Sequence, residues 1–216
     1  MKGLLKKDLI LTVHTYWLFL PFIILFWIIS IASEDFFFTI YPVVFLSALP
    51  MGLITVDEKC RWQGYANSMP YTRGEIVTSK YVFAGAIAIT VTVLGIIVQT
   101  LSHAVKGTLT AAAAEEILLM LVFCPIMGLL IPCISLPCVF KFGIDKGKIA
   151  YLLLMGFAGG ILGFMLSVTS DSFSEILTIT AKIPLSVTIC GGLGLAAAMF
   201  IISWAISIHA YKRRDL

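Results

Sequence analysis

The sequence predicts an all-α, polytopic integral membrane protein with six transmembrane helices and both termini in the cytoplasm. Of its 216 residues, 60% are hydrophobic and only 12% are charged, whereas a soluble domain carries about 25% charged residues. Six apolar runs are long enough to cross a bilayer, which takes about 20 mostly apolar residues. Lys and Arg collect in alternate loops, as the positive-inside rule requires.

The chain begins with a basic, amphipathic segment, residues 1–11. Its lysines, Lys2, Lys6 and Lys7, resemble the basic start of a signal peptide. The apolar run that follows is longer than the core of a signal peptide, so we predict an uncleaved first span. Residues 33–35 alone separate it from the next run, and the first two spans therefore form a tight hairpin.

The six predicted spans are residues 12–32, 36–56, 79–101, 117–140, 149–168 and 184–209. With this division, 13 of the 15 Lys and Arg residues lie in the termini, in 57–78, in 141–148, or at Lys80 just inside the third span. Only Lys106 and Lys182 fall on the other side. Because positive residues are retained in the cytoplasm, we place both termini and these two loops there.

The first cytoplasmic loop, residues 57–78, carries a helix-start signal where its stretch 57–72 ends. Thr72 and Glu75 have the spacing of a capping box, and Pro70 disfavours helix at the residue before it. We therefore predict that the third helix begins near Arg73, a turn or two before the membrane.

The first half of this loop can form a short amphipathic helix. Trp62, Tyr65, Ala66 and Met69 fall at helical spacing on one face. The pattern fits an interfacial connector with Trp and Tyr at the headgroups. The second interpretation, which the pattern alone favours less, is a docking element for a cytoplasmic partner, in which an aromatic anchor is surrounded by charges.

The last three spans are rich in helix-perturbing residues. Pro125, Pro132 and Pro137 each remove a helical hydrogen bond from the fourth span and invite a kink. Small residues let helix backbones approach closely in lipid, so we predict that spans five and six pack tightly within one protomer. The glycines concerned are Gly156, Gly159, Gly160, Gly163, Gly191, Gly192 and Gly194. Residues 170–184 are amphipathic but too short to span, which predicts an outer interfacial helix.

No motif for catalysis, metal binding or a cofactor is found. Residues 143–149 have three spacers instead of four before the Gly-Lys of a nucleotide-binding loop, and Ile follows the Lys. No charged residue lies in the middle of a predicted span, which disfavours ion-coupled transport. Glu115 and Glu116 suggest the start of a membrane-protease motif, but Met120 stands where that motif needs Arg. Spans lined by apolar and small residues suit a hydrophobic cargo, or simply face lipid.

Four stretches carry a family resemblance. They are DEKCRWQGYANSMPYTRGEIVTSKY (57–81), LLKKDL (4–9), FKFGIDKGK (140–148) and YKRRDL (211–216). In their order along the chain they resemble the permeases of bacterial ABC transporters of the type-2, exporter class. The resemblance is to a small six-span subfamily that includes exporters of peptides, bacteriocins and phenol-soluble modulins.

The resemblance implies partners and site residues. Such permeases form homo- or heterodimers in the bacterial cytoplasmic membrane and associate with two ABC ATPase subunits, which bind the ATP and Mg²⁺. A coupling helix after span two contacts the ATPase, and the second cytoplasmic loop is a lesser contact. The corresponding residues are Asp57, Glu58, Lys59, Arg61, Trp62, Tyr65, Pro70, Arg73 and Glu75 in the first loop, and Phe142, Gly143, Asp145 and Lys146 in the second. The resemblance further implies short re-entrant helices at 170–184, between spans five and six at the outer face, that act as an exit gate. It also implies that residues 1–11 form an interfacial helix, which suits leucines beside Lys2, Lys6 and Lys7.

We therefore expect the permease subunit of an ATP-driven exporter that moves a hydrophobic or amphipathic cargo, such as a peptide, outward. It would be no enzyme and would bind no nucleic acid. The alternative is a membrane scaffold or sensor subunit of an ATPase complex that transports nothing.

Overall fold

The structure is a computed structural model that describes residues 2–33, 37–62, 71–107, 111–144, 146–147, 149, 152–153, 156 and 185–213. Within these residues the regular secondary structure is helical throughout. The helices are α1 (Lys2–Tyr16), α2 (Leu20–Ser33), α3 (Phe37–Ser47), α4 (Leu49–Lys59), α5 (Arg73–Lys106), α6 (Ala111–Phe142) and α7 (Leu185–Lys212), with a short 3₁₀ helix at Trp17–Phe19.

Five stretches of the described chain are long and apolar enough to cross a membrane. They are Gly3–Ala32, Phe38–Lys59, Arg73–Lys106, Met120–Phe142 and Cys190–Lys212. They coincide with the first four predicted spans and the sixth. The predicted fifth span, 149–168, and the segment 170–184 lie almost wholly outside the described residues. The protein is therefore a multi-pass membrane protein.

The first two spans are each built from two helices. α1 runs through Leu11 without a break, so the predicted division between an interfacial segment and a span is not a helix end. The helix changes geometry later, at Trp17–Phe19, and α3 gives way to α4 at Ala48, just before Pro50. The two spans meet at Ser30 and Thr39, whose hydroxyls hydrogen-bond at 2.8 Å.

α5 begins and ends with standard caps. Its first residue is Arg73, as predicted. The Thr72 hydroxyl accepts from the Glu75 amide at 3.2 Å, and the Glu75 carboxylate accepts from the Thr72 amide at 2.9 Å, which confirms the predicted capping box. At the other end, Gly107 adopts the left-handed conformation (φ 68°) that ends many helices.

α6 is the central helix and packs against α3, α4, α5 and α7. Two glycines let neighbours approach it. A Cβ at Gly128 would lie 2.9 Å from Val43 Cγ1 of α3, and a Cβ at Gly192 of α7 would lie 2.6 Å from Val122 Cγ1. Real Cβ contacts are not this short, so both positions need glycine for the observed packing.

The other predicted packing glycines have a different setting. A Cβ at Gly156, Gly191 or Gly194 would meet no atom of the described residues within 4 Å. Gly159, Gly160 and Gly163 lie outside the part of the chain that the structure describes. The packing of span five against span six stays a prediction.

The prolines of α6 leave the helix continuous, and one of them, Pro137, leads to a hydrogen bond between α6 and α7. Pro137 has no amide hydrogen, so the carbonyl of Cys133 four residues earlier lacks its usual partner. Ser203 of α7 donates to that carbonyl at 2.7 Å. A side chain of a neighbouring helix thus satisfies the freed backbone group, as membrane interiors require.

Contacts between distant segments define two ends of the bundle. Lys7 and Asp57 pair at one end, where Arg73 also donates to the Lys212 carbonyl. At the opposite end, Lys106 donates to the Ile31 carbonyl. We call the first the basic end. α6 and α7 run parallel, both towards the basic end, because Gly192 faces Val122 whereas Ser203 bonds Cys133.

Candidate functional site

Four charged side chains from three helices form a compact ion cluster at the basic end. Lys80 of α5 contacts Asp8 of α1 and Asp57 of α4, each at 2.7 Å. Lys7 contacts the other oxygen of Asp57 at 2.6 Å and Asp8 at 3.4 Å. Two lysines and two aspartates balance in charge, so the ion cluster is neutral as a unit.

The ion cluster is buried. The loss of one of its members therefore matters more for stability than the net free energy that the intact cluster contributes. The exposed fraction of the side chain is 1% for Asp8, 5% for Lys80 and 8% for Asp57, but 27% for Lys7. Removing ions from water costs roughly what their pairing returns. Removing one partner alone is far costlier, because it leaves an uncompensated charge inside. The ion cluster therefore specifies how α1, α4 and α5 fit together.

Trp62 covers the exposed side of the ion cluster. The Lys7 ammonium lies 4.4 Å from the centroid of the Trp62 ring, a favourable cation–π contact. Trp62 follows a turn at Cys60–Arg61, where Arg61 takes a positive φ of 51°. Asp57, Glu58 and Lys59 thus form the last turn of α4, and any helix of the loop starts at Trp62 or later.

Glu58 joins the two predicted cytoplasmic loops. Its carboxylate accepts a hydrogen bond from the Ile144 amide at 3.0 Å. Ile144 is presented there because Gly143 adopts φ 79°, a conformation that glycine tolerates best, immediately after α6 ends. The bond is charge-assisted and therefore stronger than a neutral one. The ends of α4 and α6 are held together by it.

A hydroxyl network holds α5 to α6 and α7 at the level of the ion cluster. Tyr81 Oη lies 2.7 Å from the hydroxyls of both Ser203 and Ser207. Ser203 uses its hydrogen on the Cys133 carbonyl, so it accepts from Tyr81, and Ser207 donates to Tyr81. The donor and the acceptor of each hydrogen bond in this network are therefore defined.

The predicted site residues differ in their exposure to solvent. Lys59 and Arg61 are exposed, Glu58 and Trp62 are half-buried, and Asp57 is buried in the ion cluster. In the second loop, Phe142 and Lys146 are exposed and Gly143 is buried. Arg73 and Glu75 stand in the first turn of α5. Tyr65, Pro70 and Asp145 lie outside the described residues.

Sequence reasoning missed Asp8 and the role of Lys80. Asp8 was not singled out, and Lys7 and Lys80 served only to orient the spans. A signal was available, because an acidic residue beside an apolar run and a lysine just inside another both need partners near a membrane. Among the described residues, no group of His, Cys, Asp or Glu is arranged to hold a metal ion.

Comparison with curated proteins and with solved structures gave no match. The family model described as ABC-2 family transporter protein matches residues 3–212, nearly the whole chain. Members of this family are the membrane components of ABC transporters, work with separate ABC ATPase subunits and are not themselves catalytic. The chain belongs to the ABC-2 transporter family and is a permease component of an ABC transporter.

Proposed function

We propose that this chain is the six-span permease subunit of an ATP-driven exporter in the bacterial cytoplasmic membrane. It would pair with a second permease protomer, identical or not, and with two ABC ATPase subunits. The cargo would be a hydrophobic or amphipathic molecule, best represented by an amphipathic peptide. ATP and Mg²⁺ would bind only to the ATPase subunits.

The course of α6 and α7 supports a sixth crossing. Both helices run towards the basic end, so the chain must return to the opposite end between Phe142 and Leu185. A return through the bilayer takes about 20 residues, and the predicted span 149–168 has that length.

The position of the basic residues supports cytoplasmic termini. Lys7 near the N-terminus, Arg73 in the first loop and Lys212 near the C-terminus all lie at the basic end. Positive loops stay on the cytoplasmic side during insertion. The basic end would therefore face the ATPase.

The link between loop and spans is the observation that carries the coupling proposal. Asp57 and Glu58 are neighbours in the last turn of α4. One is held by Lys7 and Lys80 of α1 and α5, and the other by the Ile144 amide after α6. A force applied to the chain just after Lys59 would thus reach four helices through short polar contacts.

The exposed residues of this region are the proposed contacts. Lys59, Arg61 and Trp62 would meet the ATPase, together with Tyr65 and Pro70 further along the loop. Phe142, Asp145 and Lys146 would form the lesser contact. Asp57, Glu58, Arg73, Glu75 and Gly143 would support these contacts without touching the ATPase themselves, because they are buried or half-buried, whereas Lys59 and Arg61 are exposed.

The coupling proposal is tested at Arg61, which is exposed and sits at a positive φ. Asn tolerates that conformation, so Arg61→Asn removes the charge but keeps the turn. Lys59→Gln is added so that both exposed cations are lost. If the two act as contact hot spots worth about 2 kcal/mol, co-purification of the native ATPase with the full chain falls about 30-fold.

Lys106→Gln is the matched control, since it removes an exposed lysine at the opposite end of the bundle. It should leave ATPase co-purification unchanged. Full co-purification with Lys59→Gln/Arg61→Asn would refute the coupling assignment. The scaffold or sensor alternative makes a separate prediction, namely that no amphipathic peptide stimulates ATP hydrolysis by the intact complex.

A further inference from the structure

A cavity of about 610 Å³ lies at the basic end, between the last turn of α6 and the last two turns of α7. Its described lining residues are Lys141, Ala205, Ile206, His209, Ala210 and Arg213. None of these is acidic, and none belongs to the ion cluster or to the proposed ATPase contacts. Lys141, His209 and Arg213 are exposed, so their polar groups are accessible from outside the bundle.

The cavity changes from apolar to basic along the helix axis. Ala205 and Ile206 lie deeper in α7, and Arg213 follows its last residue. Eight residues of helix rise about 12 Å. A headgroup layer is roughly 5–8 Å thick, so the apolar part lies beside the acyl chains when the basic part lies at the headgroups.

The positive charge exceeds what the helix ends require. Basic residues often occupy the last turn of a helix, because its free carbonyls carry roughly −0.5 of a charge. Two helix ends meet here, giving about −1. Among the described lining residues, Lys141 and Arg213 supply two positive charges, so about one is left over. Dipole compensation alone does not account for the set.

We propose that this cavity binds an anionic phospholipid of the cytoplasmic leaflet. The phosphate contacts Arg213 and Lys141, and an acyl chain lies on Ala205 and Ile206. Guanidinium and ammonium groups are the common phosphate donors, and basic pockets between membrane helices on this side suit anionic headgroups. The apolar floor would lie at the depth of the acyl chains, where a lipid tail rather than a soluble protein reaches it. The inference rests on the proposed cytoplasmic position of the basic end.

The test uses the purified full-length chain in native mass spectrometry. Phosphatidylglycerol and phosphatidylcholine with identical acyl chains are added in equal amounts. The unchanged chain should retain phosphatidylglycerol preferentially. In Lys141→Gln/Arg213→Gln that preference should fall about 25-fold, roughly fivefold for each basic residue lost. Lys141→Arg/Arg213→Lys should keep it, which shows that charge at these positions is what matters.

The matched control is Lys6→Gln/Lys212→Gln, which removes the same charge from exposed positions outside the cavity. It should keep the preference, and an equal loss in this control would overturn the proposal. So would an undiminished preference in Lys141→Gln/Arg213→Gln, or complete displacement of the lipid by inorganic phosphate at equal concentration.

ATPase co-purification distinguishes a protein contact from a lipid contact. If Lys141→Gln/Arg213→Gln lost the ATPase yet kept its lipid preference, the cavity would be a protein contact and the proposal would fail. The lipid assay contains no ATPase, so failure of the Arg61 experiment would leave its outcome unaffected.

Discussion

Two polar clusters are anchored on consecutive residues of α5, yet they differ in kind. Lys80 joins the ion cluster with α1 and α4, whereas Tyr81 joins the hydroxyl network with α6 and α7. Successive residues of a helix point about 100° apart, so one turn of α5 is bound to the bundle on two sides. The first cluster is ionic, and the second is neutral.

The difference concerns what happens when a member is lost. A buried charge without its partner retains a large desolvation penalty, whereas a hydroxyl that loses a partner forfeits about one hydrogen bond. The loss of one member should therefore disrupt the whole ion cluster. In the hydroxyl network, the loss of one hydrogen bond should leave the others in place. The ion cluster is the one that tolerates the loss of a member less well. It holds α1 and α4, the helices that carry the link to the first loop.

The largest effect is expected when Lys80 is replaced by Met. The change leaves Asp8 and Asp57 with Lys7 alone, and it should lower the free energy of unfolding by about 3–5 kcal/mol. Unfolding of the purified chain in detergent measures this loss. Asp8→Asn/Lys80→Met keeps the Lys7–Asp57 pair and the charge balance, so it should be the more stable of the two. Equal losses would mean that the four residues are not coupled.

A smaller effect is expected for Tyr81→Phe. Ser203 still donates to the Cys133 carbonyl, and only the two bonds to the phenol are lost. Hydrogen bonds between membrane helices contribute about 0.6 kcal/mol on average, so the loss should be about 1 kcal/mol in the same unfolding measurement. Tyr41→Phe, at a residue that is 54% exposed, is the matched control and should change little. A loss of stability as large as that of Lys80→Met would contradict the proposed difference between the ion cluster and the hydroxyl network.

The smallest effect is expected at the exposed start of the same helix. Thr72→Ala removes the side-chain cap of α5 and should cost about 0.5–1 kcal/mol, felt mainly in the first turn. Hydrogen exchange of the amides at 73–76 should rise. Thr90→Ala, an exposed position in the middle of α5, should leave those amides unchanged. Faster exchange in both variants would place the effect outside the cap.

The capping box illustrates what could be predicted from the sequence. It needs only Thr72 and Glu75, three residues apart, and its geometry follows from local rules. The spans are local as well, because each depends on the hydropathy of one continuous run. Lys80 was correctly placed just inside the third span for the same reason.

The ion cluster illustrates what could not be predicted. Asp8 and Lys80 are 72 residues apart, and the sequence around neither residue predicts their contact. The same holds for Glu58 and the Ile144 amide, so the two loops that were predicted separately are joined only in the folded chain.

The sequence by itself determined the membrane class, the apolar spans that the structure describes and the capped start of α5, because hydropathy and capping act within one segment. It also determined that Pro137 leaves the Cys133 carbonyl without an amide partner. Only the tertiary structure decided that Ser203 satisfies that carbonyl and that Asp8, Asp57, Lys7 and Lys80 neutralise one another. The physical reason is that an apolar interior makes every buried polar group need a partner, but helix packing alone chooses which one.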